Sequence, residues 1–276
     1  MTQSLSARHL LMIALGSAIG TGLFFSSANA IKLTGPAIIL SYMIGGLIMY
    51  FVVRSLGEML VFEPNIGSLS YYAYKYLGSY AGFVSGWNYW FNYIIVCMLE
   101  LTASTFFLDY WFKNTSHWLT IAIIIAIFTV VNLISIKFFA EFEFWFTGIK
   151  VSTIIIFIIL ASYLVISHSI HNDPIININN LWNHHGANNS GFFTGGATGF
   201  LFSFVIVIFS FGGTELIGVA AAETKNHKQN IPRAINGIIF RIVIFYISTL
   251  TLVICLYPWN LLSSNISPFV DVFQKI

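Results

Sequence analysis

Three ionisable side chains, Glu100, Lys150 and Glu215, stand inside long apolar runs of the sequence. In hydrocarbon a charge is costly, so such residues face a polar interior, pair with one another or carry protons. Burial disfavours the charged form of a lysine, which lets Lys150 take up and release a proton as its surroundings change. The alternative is a lysine about one turn into its span whose ammonium reaches the headgroups. Glu100 shares a helical face with Tyr89, Tyr93 and Val96 or Cys97 by spacings of three and four. That face is expected to look into the bundle, either as a protonated glutamate bonded to a neighbouring helix or as a group that handles protons or substrate. Glu215 either shares that work or caps backbone freed beside it.

A second kind of chemistry lies in the backbone. Residues 16 to 22 read G-S-A-I-G-T-G in the middle of an apolar run, and residues 209 to 218 read F-S-F-G-G-T-E-L-I-G in another. Gly16 and Gly20, four apart, also suit close helix packing. Two such segments separated by four uninterrupted runs are instead the trace of an inverted-repeat transporter with discontinuous helices. Unwound peptide groups survive at membrane depth only where they line a protected cavity. A zwitterion complements them: its carboxylate accepts from amides at a half-helix N-terminus, and its ammonium donates to freed carbonyls. On this reading Ser17, Ala18, Gly20, Thr21 and Gly22 supply amides and hydroxyls. Phe209, Ser210, Phe211, Gly212 and Gly213 supply carbonyls, with Tyr93 able to reach the cavity. Phe209 and Phe211 either close over a ligand side chain or pack in the core.

The elements that must hold these groups follow from composition. Of 276 residues 57% are hydrophobic and only 8% charged, with mean hydropathy +0.83. That leaves too little polar surface for a water-soluble globule of this size. The apolar runs have the length of membrane-spanning helices. Seven spans are expected, at 9 to 30, 36 to 60, 82 to 108, 117 to 136, 146 to 168, 197 to 222 and 238 to 260, with an eighth starting near Pro268. With the N-terminus in the cytoplasm, Arg8, Arg54, Lys75, Lys137, Lys225, Lys228, Arg233 and Arg241 lie inside, and Lys32 and Lys113 outside, as the positive-inside rule asks. The connection from His168 to Gly196 carries no lysine or arginine and reads as an external loop. The first span imitates a secretory signal ending at Ala28-Asn29-Ala30, but its glycine content and the spans that follow favour an uncleaved helix.

Seven blocks carry a resemblance: G-S-A-I-G-T-G-L-F, G-P-A-I-I-L-S-Y (35 to 42), R-S-L-G-E-M (54 to 59), G-W-N-Y-W (86 to 90), E-F-W-F-T-G-I-K-V (143 to 151), F-S-F-G-G-T-E-L-I-G and N-I-P-R-A-I (230 to 235). Together they resemble bacterial amino acid permeases of the amino acid-polyamine-organocation superfamily, in its amino acid transporter branch. The resemblance implies an all-α integral membrane protein with the LeuT-like inverted-repeat fold and alternating access around a midplane site. It implies a first five-helix repeat over 1–168, an external loop over 169–196, and over 197–276 the start of a second, inverted repeat that is truncated. It also implies a proton-coupling place for Lys150 against the unwound part of span 1, and glutamates at the positions of Glu100 and Glu215 without assigning their roles. Ala140 departs from the glycine usual in the family.

The expected activity is secondary transport: proton symport importing neutral or aromatic amino acids across the cytoplasmic membrane. Partners are the amino acid, protons, the bilayer and a missing C-terminal half, with no nucleic acid and no cofactor. The rivals are an inert or partner-requiring fragment, and an intramembrane enzyme using Glu100 and Lys150 as an acid-base pair. His168, His171, His184 and His185 read as solvated loop residues rather than metal ligands. The matches to glycosylation acceptors at Asn114, Asn188 and Asn265 read as accidental. Cys97 and Cys255 fall within spans and suggest no disulfide framework.

Overall fold

A computed structural model describes residues 12, 16, 19–63, 68–109, 111–112, 115–134, 136–170, 175–182, 192–216, 231–232, 235–237, 242–263 and 267–275. Ser17, Ala18, His171, His184, His185, Asn114, Asn188, Asn265 and the basic residues Arg8, Lys113, Lys225, Lys228, Arg233 and Arg241 lie outside them. The described residues form helices and turns, with no strand among them.

The helices are α1 (Ser27–Thr34), α2 (Ile38–Phe62), α3 (Leu69–Leu77), α4 (Ser79–Asp109), α5 (His117–Ile134), α6 (Ile136–Ile170), α7 (Gly196–Ser210), α8 (Thr249–Leu256) and α9 (Pro268–Lys275). Wide π turns precede two of them, Gly22–Ser26 before α1 and Ile242–Ser248 before α8. Three stretches are long and apolar enough to cross a membrane: Gly22–Phe62, Ser79–Asp109 and Glu141–His168. His117–Leu133, Gly196–Ser210 and Ile244–Leu256 are shorter apolar helices. Leu133 is 80% exposed and Val205 70% exposed. Apolar side chains so bare on helices of this length are matched to lipid rather than water.

Packing divides the chain into two compact units that cut across chain order. One comprises Met1–Ala14, Arg54–Trp145 and Glu215–Ala234; the other comprises Leu15–Val53, Phe146–Thr214 and Ile235–Ile276. In the first, α3 turns back onto α4 at Gly78, whose φ of 98° suits glycine. Gly82 then lets α4 lie on the backbone of Tyr74, where an added Cβ would come within 2.8 Å of the Tyr74 Cα. Tyr72 donates its hydroxyl to the Glu63 carbonyl at 2.8 Å, and Lys75 is ion-paired with the Glu63 carboxylate. That hydrogen-bonded carboxylate raises the Lys75 ammonium above its ordinary range.

The second unit is built on α7. The chain leaves α1 at Gly35, with φ of 64°, and makes a short 3-10 turn over Gly35–Ala37 before entering α2. Gly195 and Gly199 abut the Leu33 carbonyl, and the Thr194 hydroxyl donates to the Thr34 carbonyl at 3.3 Å. At the other end of α7, Gly22 abuts Ser210. The segment from Gly22 to Thr34 therefore runs antiparallel to α7. Helix α2 runs parallel to α7, with Ser41 hydrogen-bonded to Ser203 at 2.7 Å and Gly45 against Val207. Part of the expected external loop is docked: the Asn177 amide donates to the Cys255 carbonyl at 3.0 Å, and the buried Asn180 side chain donates to the same oxygen at 3.1 Å.

Candidate amino acid site

Gly16 is helical, Ile19 and Gly20 form a bend, and helical structure resumes at Thr21. A glycine-rich stretch leaves the regular helix here because it carries little side-chain packing to hold it and high backbone freedom. Leu23 and Phe24 both donate their amides to the Gly20 carbonyl, at 3.1 and 3.2 Å. Thr21 and Gly22 thus open a new helical segment, the position at which N–H groups precede the first intrahelical acceptors.

The second interruption begins where α7 ends at Ser210. Residues 211–215 form turns, with Gly213 at φ of 89°. That conformation is costly for a residue with a side chain, which explains a glycine at the turn. The carbonyls at this end have partners: Gly212 donates its amide to Phe209 O at 3.0 Å, the Tyr246 hydroxyl donates to Ser210 O at 2.9 Å, and the Thr214 hydroxyl donates to Phe211 O at 2.9 Å. The Phe211 carbonyl also accepts from the Thr214 amide at 3.4 Å.

The two interruptions meet. A Cβ on Gly22 would lie 2.7 Å from Ser210 Oγ and 2.8 Å from Ser210 Cβ, so only a residue without a side chain permits this approach. The opening of one helical segment and the close of another therefore lie side by side. Their dipoles put a partial positive end and a partial negative end at neighbouring positions. Such a pair can bind a carboxylate and an ammonium carried on one small molecule.

Of the side chains expected to flank the site, Phe211 is buried. Its ring packs 5.7 Å from Tyr42 and 4.9 Å from Tyr246 between centroids. Phe209 is half-buried. Sequence reasoning passed over Tyr42 and Tyr246, because a tyrosine in an apolar run has the signature of core packing; their hydroxyl partners come from elements far apart in the chain. It also passed over Asp271 in α9, which is buried and accepts from the Ser263 amide at 2.6 Å.

Lys150 lies on the buried stripe of α6. Thr147, Ile154, Phe157, Ala161 and Val165 are all buried, and Lys150 occupies the same face between Thr147 and Ile154, itself half-buried. That register turns the lysine towards the protein side of the helix rather than its lipid side. It belongs to the compact unit that holds both interruptions.

Glu215, Tyr93 and Glu100 belong to the other unit. Tyr93 donates its hydroxyl to Glu215 Oε1 at 2.9 Å, and its ring lies 4.7 Å from that of Tyr89. Glu100 is exposed, in a groove of about 560 Å³ between α4 and α5 that Ser104, Thr129 and Asn132 also line. The structure thus brings Tyr93 and Glu215 together, and Gly22 and Ser210 together.

Comparison with known proteins agrees with this architecture. The aromatic amino acid transport protein AroP of Escherichia coli K12 is 44% identical over 274 residues, covering 99% of this chain and 58% of that protein. The AroP proteins of Shigella flexneri and Salmonella typhimurium LT2 are also 44% identical over 274 residues, with the same coverage. The chain spans under three-fifths of the length of these relatives. The amino acid permease family model matches residues 9–276. With its apolar helices and two interrupted segments, the chain belongs to the amino acid permease family of membrane proteins.

Proposed function

We propose that the chain takes part in secondary transport of amino acids, importing neutral or aromatic ones together with protons across the cytoplasmic membrane, with its N-terminus inside. The observation that carries this reading is the contact of Gly22 with Ser210, which sets two interrupted helices side by side. Backbone amides from Ser17 to Gly22 receive the ligand carboxylate, and carbonyls from Phe209 to Gly213 receive its ammonium. The relatives named aromatic amino acid transport proteins favour an aromatic substrate. Lys150, on the buried stripe of α6 in the unit that holds both interruptions, carries the coupling proton. Glu215 and Glu100 handle the proton or hold neighbouring helices.

A second portion of the protein, supplied in the same chain or separately, completes the fold. The length of the relatives supports this, since the chain spans under three-fifths of each.

The test is counterflow in proteoliposomes with radiolabelled phenylalanine and a panel of competing amino acids, using the chain alone and the chain co-expressed with the C-terminal portion of a relative. Entry of unmodified phenylalanine, displaced by neutral amino acids, is expected. A chemically altered product would establish an enzyme instead, and no counterflow in either preparation would refute transport.

A further inference from the structure

Ser210 is the last residue of α7, and three other elements converge on it. Gly22 abuts it, the Tyr42 hydroxyl is hydrogen-bonded to its Oγ at 2.9 Å, and the Tyr246 hydroxyl donates to its carbonyl at 2.9 Å. Tyr42 comes from α2 and Tyr246 from the π turn before α8, and both are fully buried. Their rings stack at 5.4 Å, with Phe211 against both. The α7 helix stops here, so the Ser210 carbonyl cannot be satisfied by a further turn of helix. Without water, a peptide oxygen in that position needs a protein donor. Tyr246 is that donor, and Tyr42 holds the side chain of the same residue.

We propose that Tyr42 and Tyr246 are positioning residues for the amino acid site, holding the Ser210 peptide against Gly22 and so setting the spacing of the two interrupted helices around the ligand. This rests on the transport reading above. The tyrosines do not touch the ligand; they act through Ser210. The wide π turn that carries Tyr246 lets its side chain reach α7, since a π turn redirects the residues it contains.

Two hydroxyls with different targets give a distinctive signature. Tyr246→Phe keeps the ring stack and removes the donor to a backbone oxygen, so its effect is independent of the side chain at 210. Tyr42→Phe removes the bond to Ser210 Oγ, so its effect disappears in a Ser210→Ala background.

The experiment measures hydrogen exchange of the amides at 211–214 and the affinity for radiolabelled phenylalanine, in wild type, Tyr246→Phe, Tyr42→Phe, Ser210→Ala and the two double variants. Tyr246→Phe is expected to speed exchange about tenfold, as loss of one net hydrogen bond does. It also raises the half-saturating phenylalanine concentration while the maximal counterflow rate stays within about twofold, a split that global destabilisation does not produce. Unchanged exchange in both tyrosine variants would overturn the proposal whatever transport does. Faster exchange with unchanged affinity would overturn the positioning role. If wild type binds no phenylalanine either alone or with the C-terminal portion of a relative, the transport reading fails and with it the role at a ligand site; exchange then reports only whether the clamp exists.

Discussion

At the scale of single residues, the proposed function turns on Gly22 and Lys150. Gly22 has no room for a side chain against Ser210. Gly22→Val is therefore expected to destabilise the protein by about 1–3 kcal/mol, the usual cost of overpacking, and to abolish phenylalanine binding. A thermal-shift assay in detergent together with a binding assay checks both, and a variant of unchanged stability would show that the close approach is not maintained in the membrane. Lys150→Ala should remove accumulation driven by a pH gradient while exchange of phenylalanine between the two sides persists. Gradient-driven accumulation at the wild-type level would take Lys150 out of the coupling mechanism. The breaks were legible from type and spacing, because glycines and hydroxyls at mid-span mark a place where a helix is not held, and a lysine in an apolar run marks a cost that needs a reason. Sequence alone left two readings of Lys150 open. The alternation of buried and exposed positions along α6 favours the inward one, because Thr147 and Ile154 on either side of it are buried. Tyr42 and Tyr246 stayed invisible because their shared partner is distant in the chain: Tyr42 bonds the Ser210 hydroxyl 168 residues away and Tyr246 donates to the Ser210 carbonyl 36 residues away, which no local pattern encodes.

At the scale of elements, the antiparallel pairing of Gly22–Thr34 with α7 is held at both ends by glycines. Gly199 meets the Leu33 carbonyl at the end opposite Gly22. Gly199→Leu should push α1 from α7 and lower thermal stability by an amount comparable to Gly22→Val, with the two effects less than additive because they part the same pair of helices. In the other unit, Lys75 and Glu63 fasten α3. Its raised ammonium pKa means that this contribution is fully present below the ordinary lysine value and is lost as pH rises through the higher folded one. Lys75→Met should therefore increase proteolysis of the 63–78 region to the same extent at pH 6 and pH 9; a difference that grew between those values would show that another group controls α3. Element type and approximate extent followed from run length alone. The exceptions have physical causes. Helix α6 begins at Ile136, ten residues before the apolar run expected at 146, because Glu141 and Glu143 lower local hydropathy without breaking a helix. The run expected at 197–222 is helical to Ser210 and breaks into turns over residues 211–215, as the discontinuous reading expected, and helical structure resumes at Leu216, the last residue described there.

At the scale of the whole molecule, packing gathers interleaved segments of the chain into two compact units. This organisation was not legible in hydropathy, which reports how long each element is and not which elements touch. The long helices α2 and α6 each contribute to both units, so neither unit can form by completion of one stretch of sequence. The many bare apolar side chains suit a lipid environment. Co-expression with the C-terminal portion of a relative should slow hydrogen exchange along α4 and α5 in the groove region; identical exchange with and without it would count against a second portion packing there.

The most direct measurement is an experimental density map of the protein in lipid with phenylalanine bound. The expected result is a ligand whose carboxylate lies at the amides of Thr21 and Gly22 and whose ammonium lies at the carbonyls near Phe209 and Phe211. Two helices running unbroken through these positions, or phenylalanine bound at a distance from both, would contradict it.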